Sequence, residues 1–207
     1  PYAPVRSLVS LTSRNCRATP LIPAHLTTLR KQGAFVQLVE ERALPDGGLD
    51  GCRVLLIENA PCLSGRSNAA IGTFVEAGGL LIAAPETALY DEIGRPRPRS
   101  AHWAMLGLSQ APLEPARRGG GEALAAMSPV SWDDFAERLQ AARFVVDPPV
   151  DVALVPYRDD QGRFVVYVCA EKPLPANLRI TAPGGVAGRA ILCSPDEPQP
   201  RIIDLSR

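Results

Sequence analysis

The chain has 207 residues, with 22 Lys and Arg against 22 Asp and Glu, five cysteines and two histidines. That length holds one medium domain and a small one. The balanced charge excludes bulk electrostatic binding to nucleic acid or an anionic membrane, and His25 and His102 leave little material for a zinc site or a His-based acid–base pair.

Val5 to Leu11 is β-rich and predicts the first strand, with polar Ser13 to Pro20 as its exit loop. Pro23 to Gly33 reads as a helix, with Pro near its start and Gly as its stop. Ala34 to Val39 predicts a second strand, and Arg42 to Gly51 a loop around Pro45 and Gly47-Gly48. Val54 to Ile57 is a short apolar strand ending in the polar turn Glu58-Asn59-Ala60-Pro61-Cys62. A helix from Ser67 to Ala77 follows, with Ala69, Phe74 and Ala77 able to line its sheet-facing side. Gly78-Gly79 turns that helix into another apolar strand, Leu80 to Ala84, which ends in Pro85-Glu86-Thr87. The order β-α-β-loop-β-α-β implies right-handed crossovers and a mostly parallel three-layer α/β sheet, flavodoxin-like in class.

The character changes at Gly94. Gly94-Arg95-Pro96-Arg97-Pro98-Arg99 is a stiff basic loop, and His102 to Leu108 a short apolar helix or turn. Gln110 to Met127 is rich in Gly, Pro and Ala, and reads as a connector. Ser131 caps a short helix ending near Arg143. The last third reads as strands at Val150 to Val155, Phe164 to Cys169, Leu178 to Ala182, Ala187 to Cys193 and Arg201 to Leu205. Arg158 to Arg163 is a hairpin-like turn. The expected organisation is an α/β domain over 1–130, a helix and linker over 131–149, and a small antiparallel, sandwich-like β domain over 150–207.

Cys16, Cys52, Cys62, Cys169 and Cys193 form no CxxC and are odd in number. They read as free thiols in a reducing, cytoplasmic setting. No stretch reads as a membrane span or a secretory signal. The start at Pro1, running almost at once into a strand, reads as a piece of a larger polypeptide.

Three blocks together resemble a known module. They are Val54-Leu-Leu-Ile-Glu-Asn-Ala-Pro-Cys-Leu-Ser64, Phe74-Val-Glu-Ala-Gly-Gly79, and Glu-Thr-x-Leu-Tyr-Asp-x-x-Gly-x-x-Arg from Glu86 to Arg97. The chain resembles the glutamine-amidotransferase-like (β-galactosidase trimerisation) domain of glycoside hydrolase family 42 enzymes over about its first two thirds. The resemblance implies a class I amidotransferase-like sheet followed by a small β domain. It also implies a homo-oligomer and a (β/α)₈ catalytic barrel as partner, which carries both catalytic carboxylates in that family and has no counterpart here. No cofactor, metal, nucleic acid or membrane partner is implied, while the resemblance leaves room for carbohydrate near the interface.

Active class I amidotransferases place a cysteine on a strand-to-helix elbow, where helix amides stabilise the oxyanion. The matching turn here carries Pro85-Glu86-Thr87 and no cysteine, and no His-x-Glu follows. Two catalytic candidates remain. Cys62 lies just past a strand end, where partial exposure and a nearby helix N-terminus would favour the thiolate, against the plainer reading of a small loop residue. Glu86, with Asp91-Glu92 nearby, could supply carboxylates for glycoside hydrolysis, but the spacing gives them no shared face. The arginines read as a solvated or interface-facing loop. Loops 58–66 and 85–99 are therefore expected to form an interface or an active-site wall through Glu58, Asn59, Cys62, Glu86, Tyr90, Arg95, Arg97 and Trp103. The leading reading is a non-catalytic structural and oligomerisation module of a β-galactosidase-like hydrolase. The alternatives are an independent hydrolase using Cys62 or Glu86, and a carbohydrate-binding module displaying Tyr90, Trp103 or Trp132.

Overall fold

The computed structural model describes residues 4–26, 29, 35–98, 116–118, 121–125, 144–150, 152–158, 161, 164–170, 172–175, 178–182, 188–193, 199 and 201–205. The chain divides into two compact units. One is built from Pro4–Ala24 and Gln37–Asp134, the other from Pro1–Ala3, His25–Val36 and Phe135–Arg207.

The α/β unit is organised around strand β3, Val54–Ile57, whose four residues are all buried. A strand apolar on both faces must be covered on both sides, the pattern of a central parallel strand. β3 pairs in parallel with β1 (Val5–Val9) on one side and β4 (Leu80–Ala83) on the other. β4 in turn pairs in parallel with β6 (Gly121–Ala125), and β5 (Ala116–Arg118) closes that edge antiparallel to β6. With β2 (Val36–Glu40) beside β1, the sheet order is β2-β1-β3-β4-β6-β5. The part β2-β1-β3-β4 is doubly wound, in keeping with the flavodoxin-like class expected from the sequence, and β6 and β5 extend it beyond the four expected strands.

Two helices belong to the described part of this unit, α1 (Leu11–Arg17) and α2 (Gly65–Glu76). Ile71, Phe74 and Val75 of α2 pack on Leu55, Ile57, Leu81 and Ala83, joined by Leu8, Val39 and Leu44. β6 approaches the end of α2 so closely that a Cβ on Gly121 would lie 2.2 Å from the Val75 carbonyl oxygen and 2.3 Å from that of Gly79. Only glycine lets the two backbones meet there.

Three expected irregular segments are ordered. The exit loop placed at Ser13 to Pro20 is largely α1, because the Ser10 hydroxyl accepts from the Ser13 N–H and caps a helix starting at Leu11. Part of the loop placed at Arg42 to Gly51 is a 3₁₀ turn, Glu41–Asp46, closed by Gly47 at φ 85°. The connector placed at Gln110 to Met127 contributes β5 and β6. The expected helices at His102 to Leu108 and from Ser131 lie outside the described residues. Of Pro23 to Gly33, His25, Leu26 and Leu29 are described as helical.

The second unit stacks two sheets. β8 (Ala153–Arg158), β9 (Phe164–Cys169), β11 (Gly188–Cys193) and β12 (Arg201–Leu205) form one, in the order β12-β11-β9-β8. β7 (Val145–Asp147) and β10 (Arg179–Thr181) form the other, antiparallel. Phe144, Leu154, Phe164, Val166, Val168 and Ile180 share its core. β8–β9 and β11–β12 are antiparallel, but β9–β11 is parallel. The chain leaves β9 and contributes β10 to the other sheet before returning, and such a crossover brings a strand back in the same direction. Among the described residues, no helix is long and apolar enough to cross a membrane.

Candidate functional site

In an open α/β sheet, ligands bind outside the carboxyl ends of the strands, where the strand order reverses. Here that point lies between β1 and β3. Ser10 follows β1, Glu41 follows β2, and the 58–64 turn follows β3. All three meet there. The Ser10 hydroxyl donates to Glu41 Oε2 at 2.8 Å. The Ser64 backbone N–H donates to Glu41 Oε1 at 2.9 Å, and the Ser67 hydroxyl to the same oxygen at 3.4 Å. The Ser13 hydroxyl donates to the Cys62 carbonyl at 2.8 Å and accepts the Cys62 N–H at 2.9 Å. Ser10, Ser13, Glu41 and Ser67 are each no more than 4% exposed.

The chemistry of this arrangement is that of a filled site. The N-terminus of α2 carries unsatisfied N–H groups and a positive dipole end, which attract an anion. Glu41 supplies that anion from within the chain, beside the N-cap Ser64, whose hydroxyl accepts from the Ser67 N–H. Sequence reasoning missed all five polar residues of this network. The available signal was the spacing Ser10-x-x-Ser13 directly after β1 and Ser64-x-x-Ser67 in the turn that follows β3, two N-cap patterns.

The residues expected as interface or wall are partly drawn together. Cys62 forms a parallel β-bridge with Tyr90, and Tyr90 an antiparallel bridge with Pro96. Arg97 joins the two loops from within. Its guanidinium donates to the carbonyls of Leu63 at 2.8 Å, Ala88 at 3.2 Å, and Tyr90. Ala88 holds a left-handed φ of 62°, kept in place by this bond and by its own N–H to the Ala60 carbonyl at 3.0 Å. Replacing Arg97 with Met keeps the stem and removes the fork. The expected result is a loss of about 1–3 kcal/mol with faster amide exchange across 85–98, read by hydrogen–deuterium exchange.

Glu86 and Arg95 are exposed, while Glu58 and Asn59 are half-buried. Asp91 Oδ1 accepts the N–H groups of Arg95 at 2.8 Å and Ile93 at 3.0 Å, and these bonds hold its carboxyl below the usual range. Cys62 has no exposed surface. Burial pushes its thiol up, the Cys16 thiol adds to the rise, and the Arg17 guanidinium opposes it. A raised pKa disfavours the thiolate a nucleophile needs. Trp103, Trp132 and His102 lie outside the described residues.

A separate cavity of about 630 Å³ opens at the amino ends of β3 and β4, lined by Leu44, Asp50, Cys52, Arg53, Thr73 and Phe74 among others. None of the residues expected from the sequence as a site lines it. Burial raises the Cys52 thiol there from 9.0 to about 11, despite the neighbouring Arg6. The folded chain keeps this proton where the unfolded chain has lost it. The associated stability is complete below pH 9 and fades as the pH climbs towards 11. Urea melts across that window are expected to show a steeper fall for the native chain than for Cys52→Ala.

No protein-family model and no curated protein matches the chain. Solved structures do match. An apo GH42 exo-carrageenase from Bacteroides ovatus is 12% identical with a TM-score of 0.52, over 99% of this chain and 28% of that one. A GH42 β-galactosidase from G. stearothermophilus, solved as a catalytic mutant, is 12% identical with a TM-score of 0.59, over 74% of this chain and 32% of that one. A second structure of the G. stearothermophilus enzyme is 11% identical with a TM-score of 0.55. The chain thus spans about a third of the length of the proteins it matches. At these identities, what it shares with them is a fold.

Proposed function

We propose that this chain is a non-catalytic structural and assembly module of a β-galactosidase-like glycoside hydrolase. The observation that carries the reading is the filled switch point: the chain's own Glu41 carboxylate sits where a doubly wound domain would hold an anionic ligand or reacting group. The fold held in common with parts of GH42 proteins supports the family context. In this reading catalysis belongs to a (β/α)₈ barrel partner, and the chain associates with further copies of itself. The 58–66 and 85–98 loops present the contact surface, with Arg97 and the Cys62–Tyr90 bridge keeping it rigid rather than acting on substrate. Glu58, Asn59, Glu86 and Arg95 then act as wall or interface residues, close to bound carbohydrate.

The test is hydrolysis of a nitrophenyl galactoside by the purified chain. The reading predicts a rate equal to buffer, unchanged in Glu86→Ala and Cys62→Ala. Turnover that disappears in either variant overturns it in favour of an independent hydrolase.

A further inference from the structure

Two thiols that the assembly reading leaves unused share one contact zone. Ser13, Cys16 and Arg17 are spaced i, i+3 and i+4 on α1, and so lie on one face of it. That face meets one small set of residues. The Ser13 hydroxyl binds both backbone polar groups of Cys62. The Arg17 guanidinium lies 3.7 Å from the ring centroid of Tyr90, the bridge partner of Cys62, and donates to the Gly94 carbonyl at 3.1 Å. Cys16 Sγ lies 3.8 Å from the Glu92 carbonyl oxygen, and a Cβ on Gly94 would lie 3.6 Å from the Cys16 Cβ, which places Cys16 on the same loop that Tyr90 ties to Cys62. The Cys62 thiol accordingly feels the charge of Cys16 and Arg17. Cys16 is exposed while Cys62 is enclosed. Cys52 sits by the cavity at the other end of β3, and Cys169 lies in the other unit.

We infer that Cys16 and Cys62 are a modification site, a dithiol that closes to an intramolecular disulfide and clamps α1 to the 62–90 bridge. The exposed thiol is the entry point. The Cys16 thiolate attacks one sulfur of a low-molecular-weight disulfide such as oxidised glutathione. A mixed disulfide forms and one glutathione thiolate leaves. Cys62 attacks Cys16 Sγ at close range, its proton passes to the departing glutathione sulfur, and the second glutathione leaves as the thiol. The protein loses two electrons and two thiol protons, and the glutathione disulfide ends as two reduced glutathiones. The guanidinium of Arg17 stabilises the negative charge that builds on the Cys62 sulfur during the attack. The bond closes a long loop, so its formation constrains the unfolded chain.

The full chain is equilibrated with oxidised glutathione, quenched with acid, alkylated and mapped by mass spectrometry. The expected product is a monomer with a linked Cys16–Cys62 peptide pair and a midpoint higher by about 10 °C. Dithiothreitol reverses both. Cys16→Ser abolishes the link and the shift, while Cys52→Ser and Cys169→Ser keep them. Because Cys62→Ser alters an enclosed position, the exposed Cys16→Ser variant carries the test if the other fails to fold. A stable glutathione adduct at Cys16 with Cys62 still alkylatable after denaturation overturns the inference. So does a link between other cysteines or between chains.

Discussion

Replacing Glu41 with Ala is expected to lower the stability of the α/β unit by about 3 kcal/mol. The carboxylate accepts from the Ser10 hydroxyl, the Ser64 N–H and the Ser67 hydroxyl, with Ser10, Glu41 and Ser67 buried and Ser64 half-buried. Truncation strands the Ser64 N–H at the start of α2 and removes the charge that complements its dipole. Ser10 retains its contacts with Ser13 and the Cys62 carbonyl, so the damage centres on the helix N-terminus. Glu41→Gln keeps one acceptor oxygen, and its expected loss is about half as large. Chemical denaturation of the three proteins, followed by helical circular dichroism, measures the difference. Equal stability of Glu41→Ala and the native chain would mean that Glu41 does not fill the switch point in solution.

In the second unit the largest expected effect is that of Phe164→Ala, about 3–5 kcal/mol. Phe164 is 1% exposed and meets Phe144 edge to face, with ring centroids 5.4 Å apart at 84°. The Arg158 guanidinium lies 5.2 Å from the Phe164 ring centroid. Truncation removes the aromatic pair and opens a cavity between the two sheets. Tyr167 offers the control. It lies on the same strand, is 39% exposed and pairs with Tyr157 on the outer face, so Tyr167→Ala is expected to cost about 1 kcal/mol. Thermal melts reporting on the β unit distinguish the two. Similar losses for Phe164→Ala and Tyr167→Ala would contradict the placement of the core.

The parts of the fold that rest on apolar periodicity were legible in the sequence. Val54 to Ile57 and Leu80 to Ala83 are unbroken apolar runs closed by turn residues, and both are central parallel strands. Phe164 to Cys169 is an unbroken run of β-branched and aromatic residues ending in Cys169, and it is a strand with alternating burial. The parts that rest on long-range contact were hidden. α1 is polar throughout most of its length, and it forms because Ser10 caps it and Ser13 reaches Cys62, 49 residues away. β6 is Ala- and Gly-rich with a weak strand pattern, and its glycine is required by a helix it does not adjoin in sequence. The candidate site divides in the same way. The loops after β3 and β4 could be located from the strands before them. The residue that fills the crevice, Glu41, arrives from the end of another strand, and no local pattern marks it. Arg97 carried a similar ambiguity. Among prolines and other arginines it reads as solvated, yet its fork is turned inward onto three carbonyls.

The most direct test of the assembly account is the solution mass of the chain by light scattering across concentrations, with nitrophenyl-galactoside hydrolysis assayed on the same fractions. The account predicts a stable dimer or trimer with no turnover. A monomer that turns over substrate, and loses that activity in Glu86→Ala or Cys62→Ala, would contradict it.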